Sequence, residues 1–232
     1  MTMIAQNLHH VQTRITQACV KAGRVGDTVR LLAVSKTFGA DAVAQAHAAG
    51  QTAFGENYIQ EAVDKIQALR HLPLEWHCIG PIQSNKTRLV AEHFDWVHTI
   101  DRLKTAQRLS EQRPAHLAPL QVCIQVNVDG GASKSGVAAS EALALAQAAA
   151  QLPRLSVRGI MCIPEPAPDF VTACAVFAGA RALFDAVRLA GLPLDTLSMG
   201  MSADLEAAIA SGSTMVRVGS AIFGQRGVTS SA

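Results

Sequence analysis

The sequence predicts an α/β fold, a single TIM-type (β/α)8 barrel with an extra helix at its N-terminus, and three observations carry that prediction. From Arg30 onward the chain repeats a short apolar run, a turn and an alanine-rich amphipathic segment, until eight apolar runs alternate with seven helical patterns. Its 232 residues approach the size of such a barrel, about 250 residues. Hydrophobic residues make up 49% and charged ones 16%, enough apolar side chain for a large core and too little charge for a disordered chain. An open doubly wound sheet is the structural alternative.

Residues 2–22 come first, with Ile4, Leu8, Val11, Ile15 and Cys19 at spacings of four and three, one face of a helix that packs on something larger and can cover the last gap of a barrel. The candidate strands are 30–36, 51–56, 75–80, 95–100, 120–128, 156–163, 195–199 and 215–219. Helical patterns lie near 41–50, 58–70, 85–93, 102–112, 139–151, 169–190 and 203–211. No linker rich in Pro, Gly or Ser divides the chain, so residues 1–232 are read as one domain, with a short polar tail at 227–232 that frays.

The net charge of +2 is spread without a basic run, which speaks against a nucleic-acid partner. The N-terminus lacks a charged region followed by an apolar one, and no stretch reaches about 18 uninterrupted apolar residues. The expectation is a cytoplasmic protein with no membrane partner. Cys19, Cys78, Cys123, Cys162 and Cys174 are odd in number and never fall at C-x-x-C spacing, so they read as reduced core residues. The eight histidines, His77 and His98 among them, show no ligand spacing with carboxylates. They read as structural, and no metal is predicted.

In a barrel, functional groups gather where strands end. Lys36 closes the first candidate strand, Arg30-Leu-Leu-Ala-Val-Ser-Lys36, directly before a helix start. A buried amine there loses proton affinity, which suits attack on an aldehyde to form a Schiff base; the alternative is a lysine whose head snorkels to water. Polar segments follow other strands: Phe54-Gly-Glu-Asn-Tyr58, Ile79-Gly-Pro-Ile-Gln-Ser-Asn-Lys86, Gln125-Val-Asn-Val-Asp129, Gly131-Ala-Ser-Lys-Ser-Gly136 and Ile163-Pro-Glu-Pro166. Each alone could be a turn. After the last two strands, Leu197-Ser-Met-Gly-Met-Ser-Ala-Asp204 enters a helix that Ser202 or Asp204 can cap, and Met215-Val-Arg-Val-Gly-Ser-Ala-Ile-Phe-Gly224 passes from strand to Gly-Ser. Barrels often bind phosphate in these two loops. Alternation places Met215, Arg217 and Gly219 on one strand face; if that face is the interior, Arg217 is a buried cation that needs a carboxylate or a ring-nitrogen acceptor.

An amine, a phosphate cradle and an arginine between them match the aldehyde, phosphate and pyridine nitrogen of pyridoxal 5′-phosphate. The strings Ala33-Val-Ser-Lys-Thr37, Phe54-Gly-Glu-Asn-Tyr58, Ile79-Gly-Pro-Ile-Gln-Ser-Asn-Lys86, Ala132-Ser-Lys-Ser-Gly136 and Leu197-Ser-Met-Gly-Met-Ser-Ala-Asp204 resemble the YggS/PROSC family of pyridoxal phosphate homeostasis proteins, from about residue 4 to Arg226. That family is similar to the N-terminal barrel of alanine racemase and of fold-type III decarboxylases. The resemblance implies that Lys36 carries the cofactor, that Ser202, Gly219 and Ser220 hold its phosphate, that Arg217 faces the pyridine nitrogen, and that Asn57 and Met201 line the ring. Two departures stand out: Phe-Gly-Ala at 38–40 where many members have a lysine and a proline, and Ser220 where threonine is common. Lys86 and Lys134 could be secondary amines but read as solvated loop lysines.

A racemase of this type needs a second base, usually a tyrosine from a further domain, and the only tyrosine here is Tyr58. Arg217 would also disfavour ring-nitrogen protonation. The expectation is therefore a monomeric buffer or carrier of pyridoxal 5′-phosphate, with apo-enzymes as recipients and without robust catalysis. The alternative is a pyridoxal-phosphate-dependent amino-acid racemase or lyase. A class I aldolase would account for Lys36 and the phosphate loops but leaves Arg217 without a role.

Overall fold

The computed structural model describes residues 2–131 and 135–224. Lys134, Arg226 and the expected fraying tail lie outside the described residues. In chain order the elements are α1 (Met3–Lys21), β1 (Arg30–Val34), α2 (Ala40–Ala48), β2 (Ala53–Glu56), α3 (Ile59–Ala68), β3 (Glu75–Cys78), α4 (Thr87–His93), β4 (Trp96–Ile100), α5 (Leu103–Gln112) and β5 (Leu120–Asn127). They continue with β6 (Val137–Ala138), α6 (Ala139–Ala150), β7 (Leu155–Met161), α7 (Phe170–Leu189), β8 (Thr196–Ser198), α8 (Leu205–Ala210), β9 (Met215–Val218) and α9 (Ser220–Phe223). Eight parallel strands close on themselves in the order β1-β2-β3-β4-β5-β7-β8-β9, and β9 pairs back to β1 with Arg217 opposite Leu32. The open-sheet alternative is thereby replaced by a TIM-type barrel.

Two elements escaped the sequence reading, because neither has enough residues to show a period. β6 is a two-residue addition to β5, and α9 is a single turn following Gly219. One boundary moved with consequence. β1 ends at Val34, so Lys36 does not close the strand; it sits in a turn in which the Phe38 amide donates to the Ser35 carbonyl at 3.1 Å, and its side chain is half-buried. Leaving the strand frees Lys36 from the alternation that would otherwise aim it at the packed interior or at the helices.

Alternation sorts the strands' residues into two layers. Leu32, Val34, Ala53, Ile79 and Met215 form one inner cluster, and Trp96, Cys123 and Met161 another. Leu31, Ala33, Phe54, Val97, Val216 and Val218 face outward into the layer shared with the helices. α1 buries the stripe Ile4, Leu8, Val11, Ile15 and Cys19, and it packs on α2, α8 and α9, closing the gap beside β1 and β9. It also reaches the loops that follow the last two strands. Asn7 Nδ2 donates to the Ile222 carbonyl at 3.0 Å, and the Arg14 guanidinium pairs with Glu206 and donates to the Ser202 carbonyl at 3.2 Å. α7 is long and apolar enough to cross a membrane by length and composition, yet it buries Ala173, Phe177, Ala180, Phe184 and Val187 at helical spacing and packs on β7 and α8.

Four of the five cysteines are buried core thiols, whereas Cys174 is half-buried, and burial pushes Cys78, Cys123 and Cys162 up to about 12.

Candidate functional site

A cavity of about 620 Å³ opens at the carboxyl ends of the strands. Lys36, Asn57, Met201, Ser202, Arg217, Gly219 and Ser220 all line it, with Val34, Phe38, Ile79, Ile163, Ala203 and Gly224. Every residue singled out from the sequence as a cofactor contact reaches this one space. Lys86 and Tyr58 do not line it; Tyr58 precedes α3 with 52% of its surface exposed. Among the described residues the lining contains two cations and no carboxylate, so the cavity favours an anionic ligand, and its apolar walls suit a planar ring.

One wall carries Lys36. Its turn is strained, since Thr37 adopts φ 69°, a left-handed conformation that a β-branched residue resists. A buried cluster holds it there. Lys65 Nζ donates to Glu56 Oε1 at 2.6 Å, to Glu61 Oε1 at 2.7 Å and to the Ser35 carbonyl at 2.9 Å. The Ser35 hydroxyl donates to Glu56 at 2.6 Å, and the Thr37 amide donates to Glu61 at 2.8 Å. Desolvation raises the Glu56 carboxyl above its ordinary value, against the pull of Lys65 and Ser35. Sequence reading passed over Lys65 and left Glu56 inside a quoted motif without a role. The available signal was a carboxylate ending an apolar strand with a lysine nine residues on.

Asn57 follows β2, and its Oδ1 is buried without a hydrogen-bond partner among the described residues. The backbone beside it is crowded: a Cβ on Gly80 would lie 2.4 Å from the Asn57 carbonyl oxygen, so only glycine fits at the start of the loop after β3. Phe38 stacks on Phe223 with ring centroids 5.1 Å apart, fixing an aromatic edge of the cavity.

The other wall comes from β8, β9 and their loops. Neither α8 nor α9 has a side-chain cap, so the first N–H groups of these turns are not spent on their own cap residues. The expectation that Ser202 or Asp204 caps α8 is corrected: Asp204 instead accepts the Met201 amide at 2.6 Å and ties the loop to itself. Gly219 lies against β1, where a Cβ would meet the Val34 carbonyl at 3.1 Å. Arg217 shares its face with Met215, that face is the barrel interior, and Arg217 is buried. Its Nη1 donates to Ser198 Oγ at 2.7 Å and its Nη2 to the Cys162 carbonyl at 2.9 Å. Desolvation lowers its pKa, yet a guanidinium remains charged.

His77 and His98, read as structural from the sequence, join this wall from behind. His98 Nδ1 lies 3.0 Å from Ser198 Oγ, and His98 Nε2 lies 2.9 Å from His77 Nδ1. His77 Nε2 in turn lies 2.5 Å from Glu75 Oε1, which pairs with Arg30 at 2.8 Å. Among the described residues no cluster of His, Cys, Asp or Glu could hold a metal ion.

Fold and site together define a (β/α)8 barrel that offers an amine, an arginine and two glycine-serine loops to one anionic ligand. The alanine racemase N-terminal domain family matches residues 4–227. The pyridoxal phosphate homeostasis protein of Pseudomonas aeruginosa is 60% identical over 226 residues, covering 97% of each chain. Its counterpart in Escherichia coli K12 is 55% identical over 234 residues, covering 97% of this chain and 98% of the relative. The solved structure of PipY from Synechococcus elongatus with PLP bound is similar at a TM-score of 0.84 and 36% identity, covering 95% of this chain and all 100% of that one. The chain belongs to the alanine racemase N-terminal domain family and, within it, to the pyridoxal phosphate homeostasis proteins.

Proposed function

We propose that this protein binds pyridoxal 5′-phosphate and acts in its intracellular homeostasis, as a cytoplasmic monomer that buffers the cofactor and yields it to apo-enzymes. The observation that carries the reading is the convergence of Lys36, Asn57, Ser202, Arg217, Gly219 and Ser220 on one carboxylate-free cavity. The residues fit the ligand: Asn57 Oδ1 is buried without a partner among the described residues, and the β8 and β9 loops present uncapped turns where an anion can sit.

Lys36 would hold the cofactor's aldehyde through its amine, and the half-buried position keeps that amine reachable from the cavity. Ser202, Gly219 and Ser220 hold the phosphate, while Asn57 and Met201 bound the ring. When bound, the cofactor can act as an electron sink, which a protonated ring nitrogen strengthens. Arg217 would face that nitrogen, and a cation there would oppose the protonation. Tyr58 is exposed and off the cavity, so it is poorly placed to serve as an opposing acid. Both features support holding the cofactor over turning over amino acids.

Borohydride reduction of the loaded protein followed by peptide mapping tests the reading. The pyridoxyl label is expected on Lys36, and Lys36→Ala is expected to lose the Schiff-base absorption band with its circular dichroism unchanged. A label mainly on Lys86 or Lys134 overturns the assignment. Repeated α-proton exchange on any amino acid in D₂O, lost in Lys36→Ala, overturns the non-catalytic reading.

A further inference from the structure

A barrel interior is ordinarily filled by branched apolar side chains. Here a file of polar groups runs through it, from Arg217 near the carboxyl end of β9, through Ser198, His98 and His77, to Glu75 at the first residue of β3 and Arg30 at the first residue of β1. His77, His98 and Ser198 have no exposed surface. Interior volume of that kind could be filled more cheaply by hydrocarbon, because each desolvated polar group needs a partner.

The protons in the file have one consistent arrangement. Glu75 is held ionised: desolvation opposes it, but the His77 hydrogen bond and the Arg30 guanidinium outweigh that and lower the carboxyl to about 2. It can therefore only accept, and His77 must donate from Nε2. The His77 Nδ1 is then bare and accepts from His98 Nε2–H. His98 Nδ1 is bare in turn and accepts the Ser198 hydroxyl proton, which leaves a Ser198 lone pair facing Arg217 Nη1. Burial lowers both imidazoles, and for His98 the adjacent imidazole, which resists being charged together with it, and the Arg217 guanidinium act the same way, so both rings are neutral at pH 7. Trp96 stacks on His77 at 5.2 Å and 9°, fixing the ring that sets the direction.

We propose that His98, backed by His77 and Glu75, is a positioning residue for the cavity: it orients the Ser198 hydroxyl so that Arg217 is held with its free donors toward a ring-nitrogen acceptor. The relay carries the Glu75 charge from the opposite end of the barrel to the arginine without placing a carboxylate in the cavity. The role of the ring nitrogen rests on the pyridoxal phosphate reading; the direction of the file does not.

Two measurements test it. In protein labelled with ¹⁵N-histidine and free of ligand, long-range proton–nitrogen correlation should report His77 and His98 as neutral Nε2–H tautomers from pH 7 to 8. An Nδ1–H tautomer or an imidazolium at either position overturns the relay. The second is the ratio of affinities for pyridoxal 5′-phosphate and its 1-deaza analogue, in which C–H replaces the ring nitrogen. Wild type should favour the nitrogen ligand by about tenfold, the scale of one hydrogen bond to a charged group. His98→Leu and Ser198→Ala should bring the ratio within about twofold, and His98→Gln, which keeps an acceptor and a donor, should restore part of it. An unchanged ratio in a folded His98→Leu, or equal affinities in wild type, overturns the proposal. If His98→Leu does not fold, Ser198→Ala decides by the same criterion. Wild type that binds neither ligand would remove the proposed function, while the tautomer result would still judge the direction of the file.

Discussion

On the β1–β2 side of the cavity the turn bearing Lys36 is anchored by Lys65 between two carboxylates, whereas on the β8–β9 side Arg217 rests on a hydroxyl and a carbonyl. The first wall compensates charge behind the lining, so its strain and its ion pairs concern the placing of one amine. The second leaves a full positive charge available to the cavity, supported at a distance by Glu75 through neutral groups. The contrast teaches that the same end of a barrel can spend its carboxylates on anchoring a loop and still present a lining with none.

The largest effect should come from breaking the anchored wall. Lys65→Met leaves Glu56 buried beside apolar atoms, and a loss of about 3–5 kcal/mol at pH 7 is expected from urea unfolding. Desolvation already raises Glu56 above its ordinary 4.5, so the folded state binds its proton more tightly than the unfolded chain does. Stability from this group therefore falls as pH rises above that value, and Lys65→Met should sit closest to wild type near the acid end of the window. A uniform loss at every pH would mean that the cost is packing alone.

The second prediction probes the other wall. Gly219→Asp puts a carboxylate at a position where a Cβ already meets the Val34 carbonyl at 3.1 Å. Binding of pyridoxal 5′-phosphate should weaken about 100-fold, about 2.7 kcal/mol, and that of unphosphorylated pyridoxal far less. Equal losses by fluorescence titration, with folding confirmed, would place the phosphate elsewhere.

A smaller effect tests the distant support of the arginine wall. Glu75 is lowered to about 2 from 4.5, so it contributes stability above the higher value that is lost as pH falls toward the lower. Glu75→Gln should lower stability at pH 7 by about 1–2 kcal/mol, discounted for its partly solvated side, and flatten the acid limb of the stability profile. An acid limb as steep as wild type would assign that slope to other groups.

The smallest is Thr37→Gly. Relief of the positive φ and the greater freedom of glycine in the unfolded chain oppose each other, for a net gain within about 1 kcal/mol. A loss beyond that, read from the urea midpoint, would show that the Thr37 side chain holds the lysine turn.

Sequence alone determined the eight-strand count and the covering role of the first helix, and the family resemblance added to it named the residues that meet in the cavity. Period-2 and period-3.6 patterns are local, and strand ends in a barrel converge by construction. That is why Arg217 could be placed on one strand face with Met215 and Gly219 before any coordinates, while barrel closure decided that this face is the interior. Only the tertiary structure decided where Lys36 leaves its strand, that Lys65 reaches back to Glu56 and Glu61, and that His98 joins Ser198 from 100 residues away. A buried polar group is legible from its own stretch of chain only as a cost. Its partner lies on another strand, and which strand is set by barrel closure and register, information that no single segment contains.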